Sequence, residues 1–260
     1  MFVKIILPCF ALVVIIGTLI TATGCAVITG SGNVVTREFV YGDFTRIEIG
    51  YAFDAEISQA DSYLIKISLD DNLFDYLDIS KRDDTLRITM EPGNIYSKTQ
   101  QRAVITLPDL ERLELSGASK AVITGFDSSH NLEMEISGAS EADIIDVTSG
   151  NAYMEISGAS NVEGSVTLKD AVINVSGASF VTLEGTAEDM SLDVSGASDV
   201  DLSDLTLDNA WVTLSGASQA EINVSGQLNG DLSGASILEY LGNPTIGSLT
   251  SSGASVIRPK

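Results

Sequence analysis

Leu113-Glu114-Leu115-Ser116-Gly117-Ala118-Ser119-Lys120-Ala121-Val122-Ile123 is the stretch that decides the fold. Met134-Glu135-Ile136-Ser137-Gly138-Ala139-Ser140-Glu141-Ala142-Asp143-Ile144 repeats its pattern one period later. Ser-Gly-Ala-Ser recurs from Ser157, Ser176, Ser195, Ser215, Ser233 and Ser252, at intervals of 18 to 21 residues. A fixed period near twenty marks a solenoid, in which each repeat contacts mainly its neighbours.

The positions around the motif sort into columns. One residue before it stand Leu115, Ile136, Ile156, Val175, Val194, Leu214, Leu232 and Ser251. Three before it stand Leu113, Met134, Met154, Ile173, Leu192, Val212, Gly230 and Leu249. The residues between are polar, from Glu114 and Glu135 to Asp231 and Thr250. After the motif the alternation resumes, with Ala121, Ala142, Val162, Val181 and Val200 inward and Asp143, Glu163, Asp201, Glu221 and Glu239 outward. Period two means strand, and each repeat has room for two or three short strands but no helix. The expected fold is all-β, a parallel β-helix-like solenoid with turns of roughly 20 residues. Gly and Ala suit a tight corner, and the serines are expected to bond along the rod. Eight equivalent serines share a single histidine, His130, so a nucleophilic serine is a poor reading.

Upstream, Gly50-Tyr51-Ala52-Phe53 reads as a degenerate corner between Ile47-Glu48-Ile49 and Asp54-Ala55-Glu56-Ile57. Ser116 follows 66 residues later, near three periods, so Leu64–Ser68 and Leu86–Met90 are expected as strands of intervening turns. Leu73-Phe74-Asp75-Tyr76-Leu77 reads as a short helical turn. The division is 1–25 signal peptide, 26–32 linker, 33–115 irregular solenoid turns with a cap, and 116–260 regular repeats. A separate small β-domain is the alternative for 33–115. At the far end Pro244, Pro259 and Ser251 suggest irregular final turns that shield the last strand edges.

Residues 1–25 carry Lys4, an apolar run from Ile5 to Ile20, the small residues Thr21-Ala22-Thr23-Gly24, and Cys25. This resembles a bacterial lipobox, with Ala22 where leucine is usual, and makes Cys25 the lipidation site. A plain membrane anchor and ordinary secretion are the other readings. The expected setting is an exported, membrane-anchored lipoprotein, at the outer membrane or cell surface if the cell is Gram-negative. Cys9 and Cys25 are the only cysteines, so the rest of the chain has neither a disulfide framework nor a thiolate metal site.

The 36 acidic against 14 basic residues give a net charge of −22. Phosphate recognition needs clustered Lys and Arg, so nucleic acid is excluded as a partner. A uronic-acid lyase needs cations for the substrate carboxylate, yet residues 116–260 hold only Lys120, Lys169, Arg258 and Lys260. A glycoside hydrolase needs two carboxylates at a defined separation. Asp199 with Asp201, Asp204 with Asp208, and Glu188 with Asp189 all qualify, and none is singled out. Asp199, Asp201 and Asp204 lie within six residues and form a candidate Ca2+ site of oxygen ligands. Trp211 and Tyr153 are candidate ligand-stacking aromatics, each read as alone in its column.

Gly30-Ser31-Gly32-Asn33-Val34-Val35, Phe44-Thr45-Arg46-Ile47-Glu48-Ile49, Leu69-Asp70-Asp71-Asn72-Leu73, Asp84-Thr85-Leu86-Arg87-Ile88 and the Ser-Gly-Ala-Ser series together resemble the auto-transporter adhesin head GIN domain family. That is a domain of unknown function in bacterial exported proteins. The resemblance spans residues 30–257 and implies a right-handed β-helix-like coil, an exported setting and no established reaction. Gly50–Phe53 departs from the small-residue motif expected there. The functional expectation is a non-catalytic surface module binding a glycan or protein through flat strand faces. A structural envelope protein without a soluble ligand is the alternative, and a glycan hydrolase the weaker one.

Overall fold

The computed structural model describes residues 26–260. In it the Ser-Gly-Ala-Ser tetrapeptides are stacked corners of a parallel β-solenoid. Each corner joins a strand of one face, such as Leu132–Ile136, to a strand of the next, such as Glu141–Thr148. Successive turns pair in parallel on both faces. The sequence columns become ladders, since Met134 pairs with Met154, Met154 with Ile173, and Ile173 with Leu192. All four are essentially inaccessible to solvent and belong to one continuous apolar core. That burial is what one repeat cannot achieve alone and stacked repeats can.

The corners are held chiefly by backbone. The amide of Ala178 donates to the Gly158 carbonyl one turn back at 2.8 Å, and Ala159 does the same to Gly138 at 2.9 Å. Glycine is required because the turns approach so closely. A Cβ on Gly177, whose φ is +82°, would lie 2.3 Å from the Gly158 carbonyl oxygen. The last serine of every corner but the final one is buried, and its hydroxyl mainly closes its own corner. Ser160 donates to the Ser157 carbonyl at 2.8 Å and Ser179 to that of Ser176 at 3.0 Å. Bonds along the rod are fewer and longer than the sequence leads one to expect, as from the Ser160 amide to the Ser179 hydroxyl at 3.4 Å. Burial explains the choice, because a hydroxyl taken out of water needs the nearest acceptor, and that lies three residues back.

Later turns run two strands together. Phe180–Val194 and Asp199–Leu214 are continuous but bent, with a register shift between Thr182 and Gly185. The bend opens a concavity along one flank. Gly164, with φ +144°, sits at it, and its Cα rests against the Ile144 carbonyl.

The first part of the chain departs from the expected succession of turns. Gly50–Phe53 is a corner, with Tyr51 and Ala52 at φ +63° and +61°. It stacks directly on the Ser116 corner, because Arg46–Ile49 pairs in register with Arg112–Leu115, and Asp54–Gln59 with Lys120–Thr124. The 66-residue separation is therefore one step in space rather than three. Thr85–Met90 and Gln101–Leu107 stack on the opposite side of this turn. Leu64–Asp70 does not continue the solenoid. It runs antiparallel to Gln101–Leu107 and to Val34–Glu38, while Leu77–Arg82 runs antiparallel to Thr85–Met90. These antiparallel strands occupy edges that would otherwise offer free N–H and C=O groups. The helical turn expected near Leu73 is a 3-10 helix over Asp71–Tyr76.

The other end is more regular and less shielded than Pro244 and Pro259 imply. Thr245–Ser251 and Val256–Pro259 pair in parallel with the preceding turn, and their side chains are largely exposed. Among the described residues no element lies over them. The prolines sit where they cost little, Pro244 between strands and Pro259 at the last position of one. No helix among the described residues is long and apolar enough to cross a membrane.

Candidate functional site

On the face that contains Leu132–Ile136, the outward side chains form two columns. One runs Arg46, Arg112, Glu133, Tyr153, Val172, Ser191, Trp211 and Asn229, each paired in register with the next. The second runs Glu114, Glu135, Glu155, Asn174, Asp193, Thr213 and Asp231. Tyr153 and Trp211 thus share one column, correcting their reading as isolated residues. Both stand four places before their Ser-Gly-Ala-Ser motif, which is the signal the sequence already held. Val172 and Ser191 lie between them and were not singled out.

Tyr153, Val172 and Trp211 are 38%, 39% and 49% exposed, an apolar strip interrupted only by Ser191. The Tyr153 hydroxyl accepts from Asn174 Nδ2 at 3.2 Å and lies 3.5 Å from Glu155 Oε2, both in the second column. These contacts fix the tip of the Tyr153 ring toward the second column. The Trp211 indole N–H has no hydrogen-bond partner among the described residues.

The cations of this face gather at the capped end. Arg112 bridges Glu133 and Glu135 at 2.8 and 2.7 Å, and Arg87 bridges Asp78 and Glu48 at 3.0 and 3.5 Å. Burial, and then the Glu48 and Glu135 charges, push the Glu114 carboxyl above the usual range, with Arg112 and Arg87 opposing. Among the described residues, the only cations in the column of the aromatic strip are Arg46 and Arg112, at its capped end.

The adjacent face is acidic. Asp143, Glu163, Thr182 and Asp201 form one outward column, which continues through Glu221 and Glu239. Lys120 reaches Glu141 at 2.7 Å and Asp143 at 3.0 Å, while Lys260 reaches Glu221. The bend beside this column forms a groove of about 440 Å3, lined by Asp143, Ile145, Glu163, Leu183, Asp201 and Asp204 among others. Asp199 and Asp201 project from neighbouring outward columns, and Asp204 lies at the bend, where Ser203 N–H bonds Asp201 Oδ1 at 3.0 Å. Burial, and then Asp201 and Glu221, push the Asp199 carboxyl upward. Two other trios bring their ligating atoms within 4.8 Å of one another, Glu141 with Asp143 and Glu163, and Asp109 with Glu111 and His130. Asp199, Asp201 and Asp204, the candidate Ca2+ ligands, do not bring their carboxylate oxygens together within that distance. Cys25 lies outside the described residues.

Solved structures share this architecture. A protein described as a "putative adhesin" from Parabacteroides distasonis superposes with a TM-score of 0.82 at 17% identity, covering 90% of this chain and 100% of that one. A second so described, from Parabacteroides merdae, gives 0.77 at 18% identity, covering 91% and 100%. A third, from Parabacteroides distasonis and described as a "putative lipid binding protein", gives 0.75 at 21% identity, covering 90% and 99%. At these identities the likeness is one of fold. No curated protein matches the chain. The family described as "Putative auto-transporter adhesin, head GIN domain" matches residues 43–244, most of the cap and nearly all of the repeats. The chain belongs to the auto-transporter adhesin head GIN domain family.

Proposed function

We propose that the chain is a non-catalytic binding module of the bacterial cell surface, tethered through lipidated Cys25, that contacts a glycan or protein with the face bearing Tyr153 and Trp211. The observation that carries this reading is the shared, exposed column of Tyr153, Val172 and Trp211 on an acidic solenoid. Large apolar side chains held in water by a rigid flat sheet are costly to leave uncovered, and such patches mark contact sites. The family name and the names of the fold relatives agree with a surface role. An acidic module carries no attraction of its own for anionic lipid, so a covalent lipid supplies the attachment.

Carboxylates are abundant on the acidic face but distributed by strand geometry. A hydrolase reading would rest on Asp199, whose carboxyl is pushed upward by burial and then by Asp201 and Glu221, with Lys260 held on Glu221 beside them. The test is binding of the protein to a panel of glycans and cell-envelope extracts, with and without Ca2+. Saturable binding to one class supports the module. A well-folded protein that binds nothing on the panel leaves a structural envelope role instead.

A further inference from the structure

The column from Tyr153 to Trp211 has a length, a width and a charge, and together these specify an occupant. Its two rings are three strand steps apart, Tyr153 to Val172 to Ser191 to Trp211. At the ordinary strand spacing that is about 14 Å. The strip is one side chain wide. On one side it is bordered by Glu155, Asn174, Asp193 and Thr213.

We propose that this column is a binding site for an extended, uncharged, equatorially linked hexose chain lying along the solenoid axis, stacked on Tyr153 at one end and Trp211 at the other. The proposal rests on the surface-module reading and names its site and ligand. Width argues against a folded protein. A stable protein interface takes about 800 Å2 from each partner, and a single column flanked by solvated carboxylates does not supply that as apolar surface. A glycan chain is one ring wide. In extended form it advances by nearly one hexose per strand step, so its rings keep register with successive turns. Aromatic faces meet the C–H faces of equatorial sugars, and the Tyr153 ring is already held at its hydroxyl by Asn174 at 3.2 Å. Val172 and Ser191 are smaller and form the floor between the two rings. The unpartnered Trp211 N–H is a donor, and Glu155, Asn174 and Asp193 are acceptors, for sugar hydroxyls at the edge.

Charge fixes the remaining property. Glu155 and Asp193 would repel a carboxylated or sulfated chain, and the arginines of this face are engaged by Glu133, Glu135, Glu48 and Asp78 at its far end. The occupant is therefore neutral.

Trp211 is the only tryptophan in the chain, so its emission reports on this site alone. The full chain is titrated with β-1,4-linked glucose oligomers of two to six units, with β-1,4-linked glucuronate oligomers as the charged counterpart. Binding is expected to shift Trp211 emission to shorter wavelength, to tighten with length up to about four units and then level off, and to be absent for the glucuronate oligomers. Tyr153→Ala is expected to weaken binding about tenfold, with an unchanged melting temperature because the side chain is exposed. Sugar binding that leaves the emission unmoved and ignores Tyr153→Ala overturns the site while the module reading stands. Failure of every oligomer, alongside panel binding of a protein that quenches Trp211, overturns the glycan and keeps the face. Failure of every oligomer and of the panel overturns both.

Discussion

The Cα of Gly164 rests so close to the Ile144 carbonyl of the preceding turn that an added Cβ would lie 1.8 Å from its oxygen. Backbone atoms of a stacked turn cannot move aside individually, and φ at Gly164 is +144°, a conformation that side chains other than hydrogen rarely adopt. Gly164→Ala should therefore destabilise the fold by about 2–4 kcal/mol. Gly93→Ala, with φ +88° but nothing within 4 Å, should cost about 1–2 kcal/mol. Chemical denaturation of the two variants checks the ordering, and equal losses would remove the close approach as the cause.

Ser179 is fully buried and donates to the Ser176 carbonyl, while its hydroxyl also faces the Ser160 amide. Ser179→Ala leaves a buried acceptor short of a donor, at a cost of about 1–3 kcal/mol. Ala178→Ser changes the exposed tip of the same corner and should stay within about 0.5 kcal/mol of the parent. A thermal melt that ranks them the other way would show that the corner does not depend on its buried hydroxyl.

His130 is the only histidine, and its Nδ1 contacts Asp109. That hydrogen bond, reinforced by the charges of Asp109 and Glu111, raises the imidazole above its ordinary value of 6.5. Because the folded value is the higher one, the contribution is fully present below the unfolded value and is lost as pH rises through the folded one. The C2 proton of His130 should titrate above pH 6.5 by NMR, and Asp109→Asn should bring it back. A midpoint at or below 6.5 in the parent would sink the pairing.

If Cys25 carries the lipid, the parent should partition with membranes and into detergent. Cys25→Ala should stay with the uncleaved leader or be released without the lipid mass. Mass spectrometry of the N-terminal peptide distinguishes these, and an unmodified Cys25 in the mature protein would replace the lipid tether with another mode of attachment.

The repeat wrote most of this architecture into the sequence. Columns such as Met134, Met154 and Ile173 were legible because alternation and period are both local. What escaped was pairing partner and direction. Leu64–Asp70 alternates like a solenoid strand yet lies antiparallel, since alternation states which face is buried and not which neighbour supplies the ladder. For the same reason the 66 residues between the Gly50 and Ser116 corners looked like three turns when they are one step and an excursion. Within that step Phe53 takes the buried place that Ser119 holds in the next corner, so packing replaces a hydroxyl and hides the motif. The Tyr153–Trp211 column is also written in the sequence, as a shared four-residue offset from the motif, but it emerges only when repeats are aligned to one another.

The ladders run along the axis of the rod, and this gives the molecule a mechanical character. Tension applied at the strip and resisted at the capped end passes through each turn-to-turn junction in series. Within a junction the strands share it, five register pairs between Ala152–Ile156 and Ala171–Val175 and seven between Asn161–Thr167 and Phe180–Val194. These bonds yield together or not at all, so the rod behaves as a stiff link up to a threshold. The turns beyond Trp211 bear none of that load and act as ballast.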